Sequence, residues 1–379
     1  LNYSLSLLDE YRSLFPILQS KVHLAACSQG ALSIHVKQAT EKYVHSLMME
    51  GTNWSEAIQN VEESKRKFAQ LIGAEIDEIA VMTSVSDAIS AIATSLSYDE
   101  GKNRIFTTDM DFPTVGHIWL AQRQNGAEIH FLPTKEDTIY PEHYERYLDG
   151  NTLLTSIADV SYYNGFKQDI AQISKIVHEK GSLLLIDAYQ SAGHYPLHVK
   201  EMNIDILVTG TRKYLLGIPG IAFLYVKKEL AETLTPRITG WLGQEALASL
   251  DLHNLCYGAG TRRFETGTPS FISAYAASSA LDLFLDIGVE RISEHCRKLA
   301  DFTVSYGVEK GLRPAGSLSS KQRGIMTAFY IDKAQEVEKS LRTKGILVSS
   351  RKDVIRMAPH FYNTTSDIEQ AINEICKIQ

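Results

Sequence analysis

Residues 182–190, SLLLIDAYQ, and residues 205–220, DILVTGTRKYLLGIPG, decide how the chain is read. Each opens on an apolar run that ends at a polar or charged group. Runs of Leu, Ile and Val without alternation fit strands covered on both faces, as in a parallel sheet between helical layers. Similar runs stand at 78–83 (EIAVMT), 104–108 (RIFTT), 128–132 (EIHFL), 153–160 (LLTSIADV) and 221–226 (IAFLYV). Helical patterns fill 35–49, 55–72, 86–96, 113–124, 141–148 and 169–180; in the second, Ile58, Val61, Lys65, Phe68, Leu71 and Ile72 recur at helical spacing. The alternation predicts an α/β fold with a mostly parallel, seven-stranded sheet and helices on both faces. Past about 270 the grain changes: a long helical stretch (272–310) precedes TAFYID (327–332), a helix near 334–344, ILVSS (346–350), DVIRMAP (353–359) and a final helix. Two units are expected, 1–270 with the N-terminal segment and the large domain, and 271–379 as a smaller α+β domain. HLAACSQGALS (23–33) reads as loop, and LNYSLSLLDEYRSLFPILQSK (1–21) as an amphipathic helical opening.

Composition narrows the class. Of 379 residues, 44% are hydrophobic and 22% charged, which suits an ordinary soluble globular protein. Lys and Arg number 38 against 45 Asp and Glu, a net charge of −7, so the basic excess expected of a nucleic-acid binder is missing. No apolar run approaches the length of a membrane-spanning helix. Cys27, Cys256, Cys296 and Cys376 are scattered without metal-ligand spacing and read as reduced thiols of a cytoplasmic protein. No HExxH is present, His23, His35 and His45 stand isolated, and no GxGxxG follows an early strand. Metal hydrolase and nicotinamide-dependent dehydrogenase are therefore disfavoured, and no metal site is expected.

In an open α/β sheet ligands gather at the carboxyl ends of the strands. Asp187 stands at one such end, where a partly desolvated carboxylate needs a partner or serves as a cap. Lys213 follows the next strand, before a Gly/Pro-containing turn, where desolvation would lower its pKa and make the amine nucleophilic. Together a Schiff-base lysine and an aspartate facing a pyridinium nitrogen are the two protein groups that pyridoxal phosphate requires. Ser84 and Ser86 precede a helix whose free N–H groups could receive a phosphate, although Ser86 serves equally well as an N-cap. Phe112, beside Pro113, is placed either to stack on an aromatic ring or to join the core.

At this point the sequence resembles the class V aminotransferase group of fold-type-I pyridoxal-phosphate enzymes, and within it the kynureninase-like branch. The resemblance runs over nearly the whole chain and is carried by DFPT (111–114), DAYQSAGHYPL (187–197), GTRKYLLGIPG (210–220), GWLGQ (240–244), RRFETGTPS (262–270) and VIRMAP (354–359). It implies pyridoxal 5'-phosphate as cofactor, with Lys213 as the Schiff-base lysine and proton carrier and Asp187 on the pyridine nitrogen. It further implies Phe112 on the ring face, Gln190 near the phenolic oxygen, and Ser84, Val85, Ser86 and Arg212 at the phosphate. Trp241 and Thr268 would reach the phosphate of a neighbouring active site, which implies a homodimer. Arg356 matches the arginine that grips the α-carboxylate of a small amino-acid substrate, a task suited to a planar bidentate clamp. Cys27 lies in the loop that lines the substrate pocket in this group, as a substrate contact or a small buried thiol.

Three departures bear on the reaction. Sulfur-extracting relatives carry a cysteine just before the carboxylate-binding arginine, whereas this chain has Ser349 and Ser350 in ILVSSRKDVIRM. Kynureninases carry a tyrosine immediately before the Schiff-base lysine, whereas this chain has Arg212, and its N-terminal loop reads LAACSQG in place of a DGNSLG-like run. Cleavage of a Cβ–X bond, as in a C–S lyase or a kynureninase-like hydrolysis, is the leading expectation. Transamination, epimerisation and a catalytically silent binding protein of the same fold stand as alternatives.

Overall fold

The computed structural model describes residues 10–51, 53–99, 101–135, 137–249 and 251–379. The helical opening expected for residues 1–9 lies outside the described residues; a short 3-10 helix follows at Pro16–Gln19. Among the described residues the strands are β1 (Val22–His23), β2 (Ile79–Met82), β3 (Arg104–Thr108), β4 (Glu128–Leu132), β5 (Thr152–Ala158), β6 (Leu183–Asp187), β7 (Ile206–Gly210), β8 (Ala222–Val226), β9 (Arg313–Ala315), β10 (Thr327–Tyr330), β11 (Ile346–Leu347), β12 (Ser349–Arg351) and β13 (Val354–Met357).

The large sheet has seven strands in the order β2-β8-β7-β6-β5-β3-β4. Only β8 runs against its neighbours, and the other pairings are parallel. The carboxyl ends of the remaining six strands thus share one edge with the amino end of β8. Alternate residues face opposite cores, as the pleat requires. Leu184, Ile186 and Leu207 join the cluster that holds Phe68 and Phe284, while Leu185, Ile206 and Val208 join the one that holds Ile89, Ile92 and Trp119. Burial on both faces is why these strands read as unbroken apolar runs.

The helical stretch expected over 272–310 is two helices, Phe271–Ile287 and Val289–Glu309, bent by 84°. Gly288 stands at the break with φ 85°, a conformation that a β-carbon would strain. No single helix among the described residues is long and apolar enough to cross a membrane. A second sheet, β12-β13-β10-β9, is antiparallel and lies over its own core of Phe329, Ile355, Met357 and Ile372.

The N-terminal segment binds to the far end of the chain. β1 pairs in parallel with β11, Ala358 N donates to Leu24 O at 2.7 Å, and Ala26 N donates to Ala358 O at 3.3 Å. Residues 22–26, on the N-terminal side of a boundary at 270, are thus hydrogen-bonded into the C-terminal layers. A two-residue strand leaves no periodicity to read, so 23–33 looked like loop throughout. Immediately after it Gly30 N donates to Arg212 O at 2.8 Å, and a β-carbon on Gly30 would stand 2.4 Å from Lys213 O. Only glycine lets the loop sit that close.

Phe68 and Phe223 stack with ring centroids 4.4 Å apart, and neither is exposed. Truncation there leaves a cavity between the helix Trp54–Ile72 and the sheet, so Phe68→Ala should cost about 3–5 kcal/mol. Denaturant unfolding checks this through a lower midpoint at unchanged slope.

Candidate active site

The shared edge of the large sheet opens into a cavity of about 370 Å³. Cys27, Ser84, Val85, Ser86, Phe112, Asp187, Gln190, Arg212, Lys213 and Arg356 all line it. Trp241 and Thr268 do not. Trp241 packs against Trp54 with centroids 5.9 Å apart and lines a separate cavity, and Thr268 is exposed on the surface.

Asp187 closes β6 and is 7% exposed. Its Oδ1 accepts from Tyr189 N at 2.9 Å. Burial pushes its pKa up, against the pull of the Lys213 ammonium. Lys213 moves the other way, from 10.5 to about 8, because burial disfavours its charge; Asp187 opposes that shift, while Arg356 and Arg212 reinforce it. Its Nζ stands 3.9 Å from the centroid of the Tyr189 ring. A β-carbon on Gly210 would come within 2.4 Å of that same ring, so the glycine that ends β7 makes room for Tyr189. Tyr189 is not among the expected site residues, although its place two residues after a strand-end aspartate is a signal in the sequence.

Ser84 is the N-cap of the helix Val85–Ser95, its Oγ accepting from Asp87 N at 3.1 Å. Ser86, weighed as a cap in the sequence, falls inside the first turn, where cap geometry is not available to it. The N–H groups of this turn point towards the cavity end of the helix axis, a favourable place for an anion.

Phe112 is the N-cap residue of the helix Pro113–Ala121, 45% exposed, with its ring set edge-on to Tyr162 at 5.1 Å. Its neighbour Asp111 explains the position. Asp111 Oδ2 accepts from Thr107 Oγ1, Thr108 N and Thr108 Oγ1 at 2.7–2.9 Å, and Oδ1 accepts from Ala158 N. The carboxylate ties the end of β3 to the end of β5 and presents Phe112 over the cavity. Burial raises its pKa to about 6 despite these donors.

Arg356, on β13, is 1% exposed. It donates to Tyr162 O at 2.5 Å and to Ser349 Oγ at 2.7 Å, while its buried Nε has no partner. Among the described residues no carboxylate lies within salt-bridge distance of it. A guanidinium has five donor hydrogens, so this buried charge retains capacity for an anion. Cys27 is buried, and its carbonyl accepts from Gln190 Nε2 at 3.2 Å, leaving Gln190 Oε1 unpartnered. No group of His, Cys, Asp and Glu among the described residues could hold a metal ion.

An amine and a carboxylate at adjacent strand ends, a helix N-terminus, an exposed aromatic face and unpartnered polar atoms define a site for an anionic, aromatic cofactor. The class V aminotransferase family model matches residues 32–370, and the chain belongs to that family of pyridoxal-phosphate-dependent enzymes. It is 46% identical to an uncharacterised aminotransferase of Bacillus subtilis over 97% of both chains. It is 27% identical to a kynureninase of Deinococcus radiodurans over 97% of this chain and 92% of that one. Its fold is that of a cysteine desulfurase from Thermococcus onnurineus, with a TM-score of 0.88 at 21% identity over 97% of both chains.

The amine of Lys213 should titrate near pH 8 in the apoprotein. Amine-directed labelling read by peptide mass spectrometry should rise through that pH, since only the neutral amine reacts. Asp187→Asn removes a charge that holds the proton on and should move the midpoint down; Arg356→Gln removes a repelling charge and should move it up.

Proposed function

We propose that the protein acts on a small α-amino acid and cleaves a bond at Cβ, with a carbon–sulfur bond as the first case. The observation that carries this reading is a buried lysine amine that shares one cavity with Asp187, Arg212 and Arg356, its charge disfavoured by burial. A group so poised can both take a proton from Cα and give one to a departing atom. Bound pyridoxal phosphate supplies the electron sink for charge developing at Cα.

The chain's own residues divide the remaining work. Lys213 is the covalent anchor for the cofactor and the proton carrier at Cα. Asp187 would keep the ring nitrogen protonated, Phe112 would cover a ring face, and Gln190 would serve the phenolic oxygen. Ser84, Val85, Ser86 and Arg212, all on the cavity wall, would receive the phosphate. Arg356 would take the α-carboxylate, which would satisfy the buried guanidinium and hold the amino acid in the cavity that Lys213 lines. Cys27 bounds the substrate side of the cavity. Ser349 stands where a persulfide-forming cysteine would be needed and is committed to Arg356, which argues against cysteine desulfuration.

Transamination is the second reading, favoured by the name of the relative at 46% identity. The two separate cleanly. With S-substituted cysteines, pyruvate and ammonia should appear without any keto-acid acceptor. Strict dependence on an acceptor would replace the lyase reading by the transaminase.

The protein is also proposed to work as a homodimer, with Trp241 and Thr268 of each copy completing the phosphate site of the other. Trp54, Trp241, Leu252 and Leu255 are large apolar side chains left exposed on a single chain, which supports a covered face. Light scattering should give twice the chain mass. Thr268→Ala should weaken cofactor retention, and in a mixed dimer with Lys213→Ala one restored site per dimer is expected.

A further inference from the structure

Arg351 is a third arginine on the wall of the same cavity, after Arg212 and Arg356, and the roles above leave it unused. Its placement follows from strand register. β12 and β13 are antiparallel, with Ser349 opposite Arg356 and Arg351 opposite Val354. Directly opposed residues share a face, and so do residues two apart on one strand. Ser349, Arg351 and Arg356 therefore project from one face of the hairpin, and the two arginines are diagonal neighbours about 7–8 Å apart at Cα.

Two like charges at that spacing repel unless an anion lies between or before them. Partial desolvation against the cavity wall and the Arg356 charge both lower the pKa of Arg351. Arg351 has little to offset this. Its NH1 donates to Ser350 O at 2.8 Å, and among the described residues no carboxylate lies within salt-bridge distance. Cys27 and Glu338 pull the other way, and Glu338 is committed to Ser350, accepting from its N at 2.8 Å and from its hydroxyl. The two cations also differ in depth: Arg356 is buried at the floor, whereas Arg351 is exposed at the rim.

We propose that Arg351 is a specificity residue that binds a second carboxylate at the far end of the substrate side chain. The substrate class is then an α-amino acid with a distal carboxylate, such as a thioether of cysteine that ends in one. This rests on the reading that Arg356 holds the α-carboxylate. With that group fixed at the floor and Lys213 beside Cα, the side chain extends towards the rim, where Arg351 offers a planar pair of donors.

Matched probes test this: S-carboxymethyl-L-cysteine against S-carbamoylmethyl-L-cysteine, and L-glutamate against L-glutamine. Binding to the holoenzyme is read from the change in the cofactor's visible band. The carboxylate member of each pair should bind about tenfold more tightly than its amide. Arg351→Gln should bring that ratio to about one, and Arg351→Lys should restore part of it. Equal weakening of both members in Arg351→Gln would show that Arg351 serves the shared α-carboxylate and would overturn the proposal. So would a wild-type protein that does not distinguish the members. Arg356→Gln is the separate control and should weaken every probe alike; if it does not, the reading of Arg356 fails, whatever Arg351 does.

Discussion

The site depends on one constraint: charges are held at a buried strand edge with too few partners inside the chain. Among the described residues Asp187 has a single backbone donor, burial presses the Lys213 amine towards its neutral form, and Arg356 is enclosed with no carboxylate beside it. Uncompensated burial of this kind is costly to a fold, and strain of this sort collects where a ligand relieves it. A cofactor with a cationic ring nitrogen, an aldehyde and a phosphate, together with the proposed amino-acid carboxylate, would supply each missing partner.

The rest of the structure keeps those groups in register. The parallel order β7-β6-β5-β3 places Asp187, Phe112 and the Lys213 loop along one edge. The antiparallel hairpin β12-β13 brings Arg356 to them from the other layer, with Ser349 and Tyr162 O fixing the guanidinium. The N-terminal segment closes the arrangement by bonding to both Ala358 and Arg212. Residues from four distant parts of the chain thus meet around a cavity of modest size.

Much of this was legible in the sequence because burial on both faces writes itself as unbroken apolar runs. RIFTT and EIHFL became β3 and β4 at the expected limits, and the other large-sheet runs differ by one or two residues at their ends. Strand-end positions of Asp187 and Lys213 followed from the same signal. Other features were not legible. β1 is too short for a period, and its pairing with β11 spans the chain. The break at Gly288 is one residue in an otherwise continuous helical pattern. Asp111 read only as part of a motif, since its strut across β3 and β5 exists only after the strands pair. Arg351 was hidden for the same reason: register, not spacing, sets it beside Arg356.

The proposed chemistry requires Lys213 as the covalent anchor for pyridoxal phosphate. Purified protein incubated with the cofactor, reduced with borohydride and digested should carry the cofactor's mass on the peptide that contains Lys213. Lys213→Ala should fold with the same circular dichroism and carry none. Labelling that persists in Lys213→Ala, or wild-type protein that takes up no cofactor, would contradict the account.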